Sequence, residues 1–76
     1  MSRAPTKPFD GHKLRTIRRQ RGIMSQSAFG KLVGVSRQVV NYWERGVRKP
    51  NRDRIKRFAD LLGCRLDELC AETTNK

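Results

Sequence analysis

Four times between Asp10 and Gly63 a small polar residue able to cap a helix is followed, a few turns later, by a glycine able to end one. Asp10 goes with Gly22, Ser25 with Gly34, Ser36 with Gly46, and Asn51, just after Pro50, with Gly63. A capping side chain accepts from a free N–H of the first turn, and a glycine enters the left-handed conformation that closes the last one. In a chain of 76 residues that rhythm leaves room for little besides short helices. Between caps and stops the apolar residues recur near the 3.6-residue period: Leu14 and Ile17; Ala28, Phe29, Leu32 and Val33; Val40 and Trp43 with Val39 at their flank; Ile55, Phe58, Ala59 and Leu62. Phe9 with Leu14, Met24 with Phe29, and Val35 with Val40 stand where a hydrophobic staple would span each cap. Leu66, Leu69 and Cys70 suggest a brief fifth helix, although Arg65 caps it poorly. No alternating strand pattern or hairpin dipeptide is present. The expected fold is all-α, a compact bundle of five short helices, with a flexible basic arm over residues 1–8, one domain over 9–72 and a disordered tail over 73–76.

A domain of this size buries only about 60% of the surface its unfolded chain exposes, so no large active-site cleft is expected. His12 is the only histidine, no carboxylate or thiol is arranged beside it in sequence, and no phosphate-cradling glycine loop occurs. An exposed histidine at a helix start accounts for it, and the chain is expected to be no enzyme and to need no cofactor or small-molecule ligand. Cys64 and Cys70 are too few for a disulfide framework and lack a second Cys/His pair at metal-ligand spacing, so they read as reduced, small core residues rather than metal ligands. No apolar run approaches the ~20 residues of a membrane span, and "MSRAPTKPF" lacks the apolar segment of a secretory signal. A soluble, cytoplasmic protein without a membrane partner is expected.

The charge narrows the partner. Lysine and arginine number 18 against 7 aspartate and glutamate, a net charge of +11, which favours a polyanion. Basic residues crowd two places: from Arg3 to Arg21, opposed only by Asp10, and from Arg45 to Arg57, opposed only by Asp53. Solvated helix faces would explain such runs equally well. The third helix adds something sharper. Beginning after Ser36, it turns Val40 and Trp43 to the core and leaves Arg37, Asn41 and Arg45 in one row with Gln38 and Tyr42 beside it. Arginine, glutamine and asparagine carry paired hydrogen-bonding groups that match base edges in the DNA major groove, which admits one helix. For Tyr42, base contact and simple rim packing remain equal alternatives. The N-terminus of the second helix, at Ser25 and Gln26, offers free amides to an anion. Arg45, Arg48, Lys49 and Asn51 fall where phosphates would flank a helix seated in the groove. Arg52, Arg54, Lys56 and Arg57 either join them or only solvate the fourth helix, and Arg3 and Lys7 either track DNA or do not.

These residues also carry a likeness. "SQSAFGKLVGVSRQVVNYWERGVRKP", Ser25 to Pro50, resembles the helix-turn-helix of the phage-repressor family of Xre/Cro type. The shared features are Ser-Gln opening the second helix, Gly34-Val35-Ser36 at the turn, the apolar-x-x-Trp-Glu-x-Gly end of the third helix, and a proline four residues beyond that glycine. The similarity runs from about Leu14 to Leu69. It implies that Gln26 touches a backbone phosphate, that Arg37, Gln38, Asn41 and Tyr42 reach bases, and that Arg18 pairs with Glu44. It further implies a homodimer on an inverted repeat, formed in solution or only on DNA, with a seam around Leu66 and Leu69. The chain departs from the family pattern in "GIMSQ", longer by Met24, and in Gly30, where alanine is usual. The expected function is a sequence-specific, double-stranded-DNA-binding transcriptional regulator, a repressor. Two alternatives stay open: an antitoxin-like or adaptor protein of the same fold that binds a protein through an apolar patch on helices four and five, and a nonspecific nucleoid binder.

Overall fold

The computed structural model describes residues 8–71. The expected arm except Pro8, the expected tail 73–76 and Glu72 lie outside these residues. Four α-helices follow one another: α1 (Gly11–Gln20), α2 (Gln26–Val33), α3 (Arg37–Arg45) and α4 (Arg52–Leu62). Each begins where the sequence places a cap. Asp10 accepts from the His12 N–H at 2.9 Å, Ser25 from Ala28 at 3.0 Å, Ser36 from Val39 at 3.3 Å and Asn51 from Arg54 at 2.8 Å. Gly34, Gly46 and Gly63 close α2, α3 and α4 in the left-handed conformation, and Gly22 takes it one residue beyond the end cap of α1.

The fold is all-α, but the fifth element is a single 3-10 turn, Leu66–Leu69, rather than a fifth α-helix. The chain leaves it extended at Cys70, which forms an isolated antiparallel bridge with Phe9. Asp10 N–H donates to Leu69 O at 2.9 Å and Ala71 N–H to Pro8 O at 2.8 Å. Pairing with the segment before α1 supplies these backbone groups with the partners that another helical turn would have given them.

The core is built from Leu14 and Ile17 of α1, Phe29 of α2, Val40 and Trp43 of α3, Ile55, Phe58, Ala59 and Leu62 of α4, and Leu69. Phe58 is its centre. Its ring lies 5.3 Å from that of Phe29, 5.1 Å from Trp43 and 6.5 Å from Phe9, so one side chain of α4 joins α2, α3 and the lead-in to α1. Three apolar readings are corrected. Leu32 is 49% exposed and Ala28 is exposed, because the stripe that α2 turns inward is narrowed to Phe29, Gly30 and the half-buried Val33. Met24 is 62% exposed, and Ile23 packs against the core in its place. Leu69 is fully buried in its own core and is not free to form a dimer seam, which leaves only the half-buried Leu66 of the two leucines expected there. Neither Cys64 nor Cys70 is in a disulfide, and Cys70 is buried, with its Sγ donating to Leu66 O at 3.5 Å.

Two glycines inside helices mark backbone contacts. A Cβ on Gly11 would meet the Trp43 carbonyl and would stand 2.7 Å from Glu44 O, so the first turn of α1 lies against the main chain at the end of α3. A Cβ on Gly30 would stand 2.5 Å from Val35 O, so α2 closes onto the turn that leads into α3.

Candidate nucleic-acid interface

The turn from α2 to α3 is set by Gly34 in the left-handed conformation, with Gly34 and Val35 N–H both donating to Gly30 O at 2.7 and 2.9 Å. Ser36 then caps α3. Val40 and Trp43 are buried on its inner side, while Arg37, Gln38 and Arg45 are exposed and Asn41 and Tyr42 half-buried on the outer one. Glu44, one residue past Trp43, is also buried. A carboxylate there requires a partner, since burying an unpaired charge is costly. Arg18 provides it: Nε donates to Glu44 Oε2 at 2.7 Å and Nη2 to Oε1 at 3.2 Å, while Nη1 donates to Ile23 O at 2.8 Å. The longer "GIMSQ" segment therefore leaves the pair in register, because Met24 loops outward and the Ile23 carbonyl becomes a third acceptor for the guanidinium.

The outer face carries two connected sets of side chains. Gln26 Nε2 donates to Glu44 Oε1 at 3.0 Å and to Asn41 Oδ1 at 3.2 Å, so the buried ion pair is linked through Gln26 to the surface of α3. Gln38 Nε2 donates to the Tyr42 hydroxyl at 2.8 Å, and the Arg48 guanidinium lies over the Tyr42 ring at 5.5 Å. The side chains of Arg37 and Arg45 make no hydrogen bond or ion pair to another described residue, and they stand at the two ends of the helix.

The residues expected at phosphates divide differently. Ser25 spends an oxygen lone pair on its cap and keeps its hydroxyl proton. Gln26 turns its side-chain amide inward, which leaves its main-chain N–H in the first turn of α2 as the group facing out. Asn51 uses Oδ1 to cap α4. Lys49 is exposed, and the loop carrying it is fastened by Val47 and Arg48 N–H, which both donate to Tyr42 O at 2.9 and 3.3 Å. Tyr42 is thus bonded through its hydroxyl, covered on its ring and tied through its carbonyl, so it is more than a rim residue of the core.

One feature was missed in the sequence. A groove of about 580 Å³ opens between α1 and the α2–α3 unit, with Arg18, Gln26 and Glu44 within it and His12, Arg15, Arg19 and Arg45 along its rim. His12, Arg15 and Arg19 stand at i, i+3 and i+7, a spacing that would have placed them on one face of α1. Arg21, just past α1 and outside that row, serves the fold instead. Its Nε donates to Leu62 O at 2.6 Å, fastening the end of α1 to the end of α4. Among the described residues no group of three or more His, Cys, Asp or Glu can hold a metal ion, and no helix is long and apolar enough to cross a membrane. Burial, with a smaller contribution from Glu68, pushes the Cys64 thiol above its ordinary range, which favours the unreactive protonated form.

The helix-turn-helix family model matches residues 14–69. Repressor protein C2 of Salmonella phage P22 is 36% identical over 59 residues, which cover 78% of this chain and 27% of that protein. The chain therefore spans about a quarter of the length of the curated relative it matches. Among solved structures, the P22 c2 repressor in complex with synthetic operator 9T is similar with a TM-score of 0.70 and 33% identity, over 79% of this chain and 89% of that one.

Proposed function

This chain belongs to the helix-turn-helix family, and from that membership we propose that it is a sequence-specific DNA-binding transcriptional regulator, a repressor, that seats α3 in the major groove of an inverted-repeat operator. The observation that carries the reading is the outer face of α3. Asn41 is held by Gln26 of α2, and Tyr42 by Gln38 and by Arg48 of the loop after α3, and held donors and acceptors suit base edges better than a merely solvated surface does. Arg37, Gln38, Asn41 and Tyr42 read bases. Ser25, the Gln26 main chain, Arg45, Arg48, Lys49 and Asn51 hold phosphates on either side. Arg15 and Arg19, on the groove rim, extend the positive surface from α3 onto α1. The similarity to a repressor solved with its operator supports the same reading.

One recognition helix spans only a few base pairs, so two copies occupy half-sites about one turn, roughly 34 Å, apart. In this reading the protein works in the cytoplasm and binds DNA without performing chemistry on it. The adaptor alternative called for an apolar patch on helices four and five, and there only Leu61 is a large exposed hydrophobic residue, at 42%.

Selection of bound sequences from random duplex DNA at fixed salt tests the proposal. An enriched inverted repeat, bound far better than scrambled duplex, is the expected result. Binding that is weak or indifferent to sequence would transfer the function to the adaptor or nucleoid-binding alternative.

A further inference from the structure

We infer that Asn41 presents only hydrogen-bond donors to the major groove and so selects the keto bases, guanine and thymine, over the amino bases, adenine and cytosine. This rests on the reading of α3 as the helix that contacts bases. It goes beyond that reading because a free asparagine does not make this choice. With its amide able to rotate, asparagine offers one acceptor and one donor, the pair that matches adenine N6 and N7.

The amide is not free. Glu44 accepts two hydrogen bonds from the Arg18 guanidinium and, as a carboxylate, has only acceptors to offer elsewhere. The atom of Gln26 that lies 3.0 Å from Glu44 Oε1 must therefore be the nitrogen. That nitrogen has a second proton, directed at Asn41 over 3.2 Å, and the group receiving it must be an acceptor, Oδ1. Each orientation forces the next, starting from an ion pair in which Arg18 is 3% and Glu44 4% exposed. Flipping Asn41 would set its NH2 against the NH2 of Gln26, and flipping both would set the Gln26 oxygen against a carboxylate. Asn41 Oδ1 is thus turned toward the protein. Nδ2, which makes no hydrogen bond to another described residue, is left for the partner. Guanine offers it two adjacent acceptors, N7 and O6, and thymine offers O4. Adenine offers N7 alone and sets an amino group beside it, where guanine has a second acceptor, and cytosine offers only an amino group.

The test compares sites selected by the wild type, Asn41→Ala and Asn41→Asp from random duplexes. Asn41→Ala identifies the base pair concerned by flattening the preference there, with a fall of about 5- to 150-fold on the best site. The wild type shows guanine or thymine at that position. Asn41→Asp retains an oxygen facing Gln26 and turns another outward, so its preference moves to adenine or cytosine. A second measurement uses the wild-type protein and does not depend on the folding of the Asp variant. Replacing the preferred guanine by 7-deazaguanine, or thymine by an analogue lacking O4, weakens wild-type binding about tenfold and leaves Asn41→Ala binding unchanged. Adenine or cytosine at the position in the wild-type site overturns the inference and leaves the regulator standing. So does an Asn41→Ala loss that is equal on specific and scrambled duplexes, which would make Asn41 a phosphate contact. A wild-type selection without any motif overturns both.

Discussion

Glu44 shows how one side chain answers to both stability and recognition. It is buried, it takes both oxygens' worth of bonding from Arg18, and through Gln26 it orients Asn41 on the outer face. Glu44→Ala leaves a buried guanidinium with the Ile23 carbonyl alone and should cost about 3 kcal/mol or more. That is much of the stability of so small a domain. A denaturation midpoint equal to that of the wild type would show the pair to be energetically idle. Reading and holding separate at two other residues. Arg37, exposed and unpaired among the described residues, has a forked guanidinium that fits the two acceptors of guanine. Arg37→Ala should lose about 1–3 kcal/mol on the best site and flatten one base pair in each half-site. Lys49→Ala should weaken all sequences alike and reduce the salt slope by about 1. Lys49 is the cleaner control than Arg48, whose guanidinium also covers Tyr42. Titrations against specific and scrambled duplexes at several salt concentrations check both, and equal losses for Arg37→Ala on the two duplexes would make α3 a phosphate-binding surface.

The helices owe their limits to local chemistry and their spacing to glycine. In an isolated helix Gly30 would be a weakness, since alanine is favoured there by roughly 1 kcal/mol. In this fold the sign reverses. The added Cβ would lie 2.5 Å from Val35 O, and the main chain of a turn held by two hydrogen bonds to Gly30 O cannot move aside freely. Gly30→Ala is therefore expected to lower the thermal midpoint rather than raise it, and to reduce operator affinity because the Ser36 cap shifts with the turn. A raised midpoint would mean that α2 and α3 can separate at little cost. Gly11 acts in the same way between α1 and the end of α3, where its position brings Arg18 over Glu44.

For the molecule as a whole, Phe58 and the pairing of Phe9 with Cys70 are decisive. α4 contributes Phe58 to three aromatic neighbours from other segments, and the bridge from Phe9 to Cys70 closes the bundle beneath them. Phe58→Ala should cost about 3–5 kcal/mol, a large fraction of the stability of a domain of this size and enough to broaden or abolish its melting transition. The loss of cooperative melting by circular dichroism checks this, and a variant that kept a sharp transition near the wild-type midpoint would show that the core is held elsewhere. Charge is distributed to match: the acidic Glu44 is withdrawn into the protein, while Arg37, Arg45, Arg48 and Lys49 stay on the surface around α3.

The helix boundaries were legible because caps, stops and the 3.6-residue period are local. Ser36 accepts a bond three residues away, and Gly46 needs only its own backbone freedom. The outward row Arg37, Gln38, Asn41, Tyr42 follows from helical phase alone once Val40 and Trp43 are placed inside. Long-range contacts were not legible, because nothing near a residue in sequence reports what approaches it through space. Leu69 and Leu32 are both leucines at apolar positions, yet one is wholly buried and the other half exposed. What separates them is the pairing of distant chain segments and the narrowness of the face that α2 turns inward. Likeness to a family supplied the pairing of Arg18 with Glu44, but not the path from that pair through Gln26 to Asn41. An amide has two ends that a sequence writes identically, and which end meets the partner is settled only when a buried carboxylate lies within hydrogen-bonding distance.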